Sequence, residues 1–149
     1  NKSDIDKLYN VGSIAGVFDL FHIGHLNMFK RAKEQCRYLI VGVVSDEGVR
    51  LNKQAEPFVP FDERIEMVRS CKYVDEAIKL PLDFCGTRDM FKIYHFDVQF
   101  SGSDYEHDPA WLAEKEFLEK NGSTMVFFPY TQSTSSTKLK RAIENRINN

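Results

Sequence analysis

Two histidines three residues apart, His22 and His25, are the side chains whose types and spacing most clearly suggest chemistry. They follow a compact apolar run, Val11–Phe18, and Gly24 lies between them where a helical pattern begins. The first turn of a helix presents unpaired N–H groups and a partial positive charge, which together favour a phosphate. Imidazoles on that turn could donate hydrogen bonds to phosphate oxygens whose charge grows during transfer. The segment therefore predicts a phosphate-binding site.

Two other interpretations of this histidine pair stay open. An H-x-x-H pair is often only a surface feature of a helix, and it could also be half of a metal site. A zinc site needs a third or fourth ligand, whereas the remaining histidines, His95 and His107, lie in different predicted loops. Cys36, Cys71 and Cys85 form no C-x-x-C pair. We therefore expect neither a disulfide framework nor a cysteine zinc site, and a reducing cytosol is the default compartment.

The elements that must position these residues alternate between strand and helix. Continuous apolar runs predict five strands, and apolar residues at helical spacing predict the helices between them. The predicted strands are Val11–Phe18, Tyr38–Val44, Val74–Leu80, Val98–Phe100 and Met125–Phe128. The predicted helices are Gly24–Cys36, Phe61–Cys71, Thr87–His95, one from Pro109 ended by Asn121-Gly122, and Lys138–Ile147, while Ser45–Pro60 is predicted as a loop. This order predicts an α/β fold, a Rossmann-like doubly wound parallel sheet with helices on both faces.

Ligands of such sheets bind beyond the carboxyl ends of the strands, which directs attention to the loops that follow them. The chain has 149 residues, of which 42% are hydrophobic, enough for one domain with a core over residues 11–149 after a polar lead-in, 1–10. A net charge of −2 argues against a protein that coats duplex nucleic acid. No apolar run reaches membrane-spanning length and no signal peptide is visible, so we expect a cytoplasmic protein without membrane insertion.

The ten residues from Gly16 to His25, G-V-F-D-L-F-H-I-G-H, resemble the signature G-x-F-D-x-x-H-x-G-H of the cytidylyltransferase family. The likeness is greatest to the bacterial glycerol-3-phosphate cytidylyltransferases, and the shorter H-x-G-H is shared by the wider nucleotidylyltransferase superfamily. The resemblance implies transfer of CMP from CTP to a small phosphorylated alcohol, with release of pyrophosphate. It also implies a homodimer, and Mg²⁺ bound mainly through the CTP phosphates rather than by a metal site of the protein.

Later loops extend this resemblance. Ser45-Asp46-Glu47 is similar to the family's T-D-E, Glu63-Arg64 to its E-x-R, and Thr131–Thr137 to its R-T-E-G-I-S-T-T. The resemblance implies catalytic roles for His22, His25 and Lys53. It implies nucleotide binding by Gly16, Val17, Phe18, Gly24, Gly102, Asp104, Thr131, Ser135, Ser136 and Thr137. It implies acceptor binding by Asp19, Arg64, Lys72 and Tyr130.

Several of these residues have a plain structural alternative. Lys53 could be a solvated loop lysine, and Asp104 could form a turn. Asp19 could reach Mg²⁺ through water, although pinning its own loop is the favoured role. Tyr130 and Lys72 stand where the family has arginine, which leaves the identity of the acceptor open. The Ser/Thr-rich loop could likewise be only a helix cap.

Three rival functions follow. Ser135-Ser136-Thr137 is also similar to adenylyl-transferring relatives, so an adenylyltransferase of the same superfamily is the nearest rival. A catalytically silent nucleotide-binding module and a metal-binding regulator are the others.

Overall fold

In the computed structural model, strands and helices alternate along the chain as predicted. It describes residues 6–80, 86–129 and 136–148, without the side chains of Lys53 and Ser136. The strands are β1 (Tyr9–Gly16), β2 (Cys36–Val44), β3 (Glu76–Leu80), β4 (Val98–Gly102) and β5 (Thr124–Phe128). The helices are α1 (Ile23–Gln35), α2 (Asp46–Lys53), α3 (Phe61–Arg69), α4 (Thr87–Tyr94), α5 (Pro109–Lys120) and α6 (Ser136–Asn148), with a 3₁₀ turn over Ser103–Tyr105.

The strands form one parallel sheet in the order β3-β2-β1-β4-β5. In register, Gly16 of β1 pairs with Val43 of β2, and Gly12 pairs with Val98 of β4. The chain leaves β1 toward β2 on one side, while β4 joins β1 on the other, so the strand order reverses at β1. The predicted doubly wound α/β sheet is confirmed, and its crevice lies at the carboxyl end of β1.

A hydrophobic core covers each face of the sheet. On one face Phe29 of α1 and Val68 of α3 pack against β1 and β2 residues such as Val41. On the other face Met90 of α4 and Leu118 of α5 pack in a second cluster. Helices therefore lie on both faces, as predicted, and fix the loops at the carboxyl edge of the sheet.

Most boundaries differ from the predictions by one or two residues, and two differences bear on the site. β1 spans Tyr9–Gly16 rather than 11–18, so Phe18 belongs to the following loop and the lead-in ends before residue 9. The predicted loop 45–60 contains α2, which begins where Ser45 Oγ accepts the N–H of Gly48. Its eight residues bury little apolar surface, which is why the apolar pattern misses it. Within the described residues, no helix is long and apolar enough to cross a membrane.

Candidate active site

The loop after β1 has a tightly fixed backbone. Phe18 and Leu20 adopt φ values of 56° and 51°, a left-handed conformation that bulky residues rarely take. The Phe18 side chain is buried, and its ring lies 5.4 Å from the His25 ring and 5.3 Å from the Phe29 ring. A Cβ added at Gly16 would lie 2.9 Å from Phe18 Cζ, so a larger residue would displace this ring. The Phe18 ring is thereby held in the core beside His25 and Phe29.

His22 and His25 begin α1 by capping each other. Nδ1 of His22 accepts the N–H of Gly24 at 3.0 Å, and Nδ1 of His25 accepts the N–H of His22 at 3.2 Å. This is a capping box in which two imidazoles replace the usual hydroxyl and carboxylate. Since each Nδ1 is an acceptor, each neutral ring carries its proton on Nε2. The two ring centroids are 3.9 Å apart, so both Nε2–H donors belong to one compact site.

Both rings are held neutral. Burial lowers the pKa of His25 to about 3, and the neighbouring His22 contributes to the same shift. Burial also lowers the pKa of His22. The pair therefore offers two neutral N–H donors at physiological pH rather than imidazolium ions.

Asp19 pins three segments together. Its side chain is buried, with Oδ2 accepting the N–H of Phe58 at 2.8 Å and Oδ1 the N–H of Val59 at 3.0 Å. Nζ of Lys140 in α6 lies 3.0 Å from Oδ2. Burial alone would raise the pKa of Asp19, but the Phe58 N–H, Lys140 and the Val59 N–H together lower it. The loop-pinning role is the observed one, and the assignment to acceptor binding is corrected because both carboxylate oxygens are engaged.

Arg64 is a buried structural residue. Its guanidinium donates to the carbonyl oxygens of Val17 (2.7 Å), Val44 (2.8 Å) and Val59 (2.8 Å), and Nη2 donates to Asp46 Oδ1 at 2.6 Å. The side chain has no exposed surface. The assignment of Arg64 to acceptor binding is therefore corrected: its donors join the chain segments that leave β1 and β2 and do not reach a ligand.

Lys72 lies at the other edge of the sheet. It sits between the end of α3 and the start of β3, where Asp75 accepts the N–H of Leu39 in β2. Its exposed ammonium lies 5.2 Å from the Tyr73 ring. Because the carboxyl ends of the strands form the opposite edge, the assignment of Lys72 to acceptor binding within this chain is corrected as well.

The remaining predicted site residues lie in the following strands, turns and helices. Gly102 ends β4, and the exposed Asp104 lies in the 3₁₀ turn that follows, both at the carboxyl edge. Thr137 is exposed in the first turn of α6. Lys53 ends α2 and Ser136 begins α6, but their side chains are not described. Tyr130, Thr131 and Ser135 lie outside the described residues.

Charges in the first helical turns distinguish the helices at this edge. The first turns of α2 and α3 each carry two acidic residues, which offset the positive end of the helix dipole. The first turns of α1 and α6 carry none, and neither does that of α5, although Asp108 caps α5. The two helices that follow the predicted phosphate loops therefore have no acidic side chain in the first turn to offset the positive end of the dipole. In the described part of the chain, no group of three His, Cys, Asp or Glu residues is placed to hold a metal ion.

Two residues that shape the site do not stand out in the sequence. Lys140 has no motif around it, and only the fold brings it to Asp19. Asp46 was noted for its T-D-E-like segment, but its role as the partner of Arg64 is visible only in three dimensions. The arginine and the neighbouring Phe61 N–H lower the pKa of Asp46 against the opposing effect of its burial.

Comparison with known proteins gives a consistent result. Residues 13–142 match the family model described as Cytidylyltransferase-like. The chain is 36% identical over 139 residues to an FAD synthase of Thermococcus kodakarensis, covering 90% of this chain and 89% of that protein. It is 32% identical over 128 residues to a glycerol-3-phosphate cytidylyltransferase of Bacillus subtilis, covering 86% and 92%. A solved structure from Thermoplasma volcanium, described as a lipopolysaccharide core biosynthesis protein, superposes with a TM-score of 0.67 at 25% identity, covering 85% and 99%.

Proposed function

This chain belongs to the cytidylyltransferase-like family, a family of nucleotidyltransferases, and we propose that it transfers CMP from CTP to a small phosphorylated alcohol. The products would be pyrophosphate and a CDP-activated alcohol. The observation that carries the proposal is the reciprocal capping of His22 and His25 inside the complete ten-residue signature. It puts two neutral N–H donors at a helix N-terminus whose first turn carries no acidic residue.

The chemistry needs no covalent enzyme intermediate. An anionic phosphate oxygen of the acceptor attacks the α-phosphorus of the nucleotide and forms a new P–O bond. The bond from the α-phosphorus to the bridging oxygen breaks, and its electron pair leaves with pyrophosphate. Because the attacking oxygen is already ionised, the protein contributes positioning and charge stabilisation rather than a strong base.

The histidines would stabilise the transition state as hydrogen-bond donors. Their Nε2–H groups would bind oxygens of the α- and β-phosphates, where negative charge grows as pyrophosphate leaves. Neutral rings suit this role, since a ring without a labile charge keeps its donor over a wide pH range. We also propose that Lys53 and the start of α6, with Ser136 and Thr137, bind the β- and γ-phosphates.

Magnesium enters this proposal as the complex with the triphosphate. Asp19, the acidic residue of the signature, already accepts two backbone N–H groups and pairs with Lys140. Its carboxylate therefore does not suit direct coordination, which fits an ion held mainly by phosphate oxygens and water.

A second candidate is adenylyl transfer to a larger phosphorylated acceptor. The observation that favours it is the 36% identity to an FAD synthase over most of both chains. An enzyme of that kind would join AMP from ATP to a flavin phosphate, with the same histidine chemistry and a different base and acceptor.

Pyrophosphate release tests both candidates. CTP, ATP, GTP and UTP with Mg²⁺ are crossed against glycerol 3-phosphate, ethanolamine phosphate, other small phosphorylated alcohols and FMN. Release with CTP and one small acceptor supports the proposal and names the product. Release only with ATP and FMN replaces it with the second candidate. Nucleotide binding without turnover by any pair would favour the silent module and contradict both. We also propose a homodimer, which sedimentation velocity tests by mass.

A further inference from the structure

Two adjacent side chains of the last helix, Leu139 and Lys140, are partly buried. From Thr137 onward its described side chains are exposed, except those of Leu139 and Lys140. Leu139 lines a groove of about 290 Å³ formed mainly by the loop after β1 and by α3. The lining residues of that groove are Phe18, Leu20, Phe21, Val59, Arg64, Met67 and Leu139. These two adjacent residues, one apolar and one charged, therefore lie beside the loop after β1.

Lys140 provides the directional part of this docking. Its Nζ lies 3.0 Å from Oδ2 of Asp19, and it also lies 5.7 Å from the centre of the Phe58 ring. The Asp19 side chain is only 2% exposed and that of Lys140 is 34% exposed. A buried carboxylate fixed by two backbone N–H groups is a rigid target, so the ion pair limits how α6 can rotate about its axis. Leu139, which forms one wall of the groove, imposes no such direction.

The pair joins the two segments to which phosphate binding has been assigned. Asp19 precedes His22 by three residues in the loop after β1. Lys140 follows Ser136 by four residues, which is about one helical turn. An ion pair at this position therefore sets the separation between the start of α1 and the start of α6.

We propose that Lys140 is a positioning residue for nucleotide transfer: its ion pair with Asp19 holds the first turn of α6 where it can share one triphosphate with the first turn of α1. This inference rests on the proposed function. Lys140 itself contacts Asp19 and not the reacting atoms. Its loss affects the triphosphate end of the nucleotide and leaves the acceptor site intact.

Three variants test the inference. Lys140→Met keeps the aliphatic stem and removes the charge, and Lys140→Arg keeps a cation. Lys120→Met is the matched control, because Lys120 forms an ion pair with Glu116 on the exposed surface of α5. KM and kcat are measured for nucleotide and acceptor separately, with the substrate pair that the wild-type protein turns over. Binding of the Mg²⁺ complexes of CTP and ATP is measured independently by calorimetry.

For Lys140→Met we expect the KM and the dissociation constant of the nucleotide to rise about tenfold, with an unchanged acceptor KM. We expect Lys140→Arg to restore most of the nucleotide affinity and Lys120→Met to match the wild type. Unchanged nucleotide constants in Lys140→Met would overturn the inference, as would equal losses for both substrates that arginine does not rescue. A wild-type protein that neither binds nor turns over any nucleotide would instead overturn the proposed function, and the inference with it.

Discussion

Nη2 of Arg64 donates to Oδ1 of Asp46 across 2.6 Å at a point where the arginine side chain has no exposed surface. The same guanidinium binds three carbonyl oxygens, so removing it takes a donor from each of those oxygens and from Asp46 Oδ1, while Asp46 Oδ2 keeps the Phe61 N–H. The pair therefore connects the carboxyl ends of β1 and β2 to the start of α2. It is the clearest structural element of the edge at which the site is built.

We expect Arg64→Met to lower the free energy of unfolding by about 2–5 kcal/mol, because three carbonyl oxygens lose a charged donor and the Asp46 side chain, itself 31% exposed, loses its partner. Urea denaturation followed by circular dichroism measures this change. Arg69→Met, on the same helix, is the control, because Arg69 forms an exposed pair with Glu66 and its loss should cost less than about 1 kcal/mol. Equal stability of the two variants would contradict the structural role assigned to Arg64.

The capping and catalytic roles of the histidine pair can be separated. We expect His22→Ala and His25→Ala to reduce turnover by roughly 10²–10⁴-fold, the scale of losing a charge-stabilising donor. They should also lose about 1 kcal/mol of stability, since each removes a capping acceptor. His22→Asn and His25→Gln supply an amide oxygen for the cap but no imidazole, so they should keep the stability and still lose the turnover. Full turnover in the folded amide variants would refute the catalytic assignment.

His25 should take up its proton at a lower pH in the folded state than in the unfolded state. Its pKa is about 3 when folded and near 6.5 when unfolded, so the unfolded chain binds more protons between these values. The stability that depends on the neutral ring is complete above pH 6.5 and is lost as the pH falls toward 3. At pH 5 the loss amounts to about 2 kcal/mol.

His25→Gln isolates this effect from other titrating groups. We measure the free energy of unfolding of both proteins from pH 8 to pH 4. As the pH falls, the wild type should lose stability relative to the variant. Nuclear magnetic resonance of the imidazole gives the folded pKa directly. A His25 ring that titrates near 6.5 in the folded protein would contradict the burial of a neutral donor.

Gly16 tests how tightly the first loop is packed. An alanine Cβ there would lie 2.9 Å from Phe18 Cζ, and the Phe18 ring is itself packed on His25 and Phe29. We expect Gly16→Ala to cost about 1–3 kcal/mol of stability, as overpacking does, and to lower turnover by moving His25. The double variant Gly16→Ala/Phe18→Leu removes the clashing ring edge and should recover part of both losses. If the double variant recovers neither stability nor turnover, the Phe18 ring is not the cause of the loss in Gly16→Ala.

Strong apolar runs explain why the sheet could be predicted. The stretch from Tyr38 to Val44 has few polar residues, and β2 covers it with two more residues at its start. α2 was missed because its start depends on the cap from Ser45, while Leu51, one of its few apolar side chains, is largely exposed. Local capping begins this helix, and its eight residues include only two large apolar side chains, the buried Val49 and the exposed Leu51, too few for a helical spacing to be recognised.

The sequence predicted where the site lies, but only some of the roles of its residues. The signature placed His22 and His25 at the start of α1, but a histidine cap is not among the residue types that normally indicate one. Arg64 resembled a phosphate ligand because the sequence carries no sign of the carbonyls that surround it in three dimensions. Lys72 could be corrected from topology, since it precedes β3 and so belongs to the amino edge.

The reciprocal hydrogen bonds of His22 and His25 also bear on when the site is ordered. Folding of α1 and fixation of both ring tautomers are one event, because the same two N–H groups that need partners at the helix start hold the rings. The entropy lost in orienting the imidazoles therefore belongs to folding rather than to nucleotide binding. A bound nucleotide therefore meets hydrogen-bond donors that are already oriented. None of its binding free energy has to offset the cost of orienting the two imidazoles.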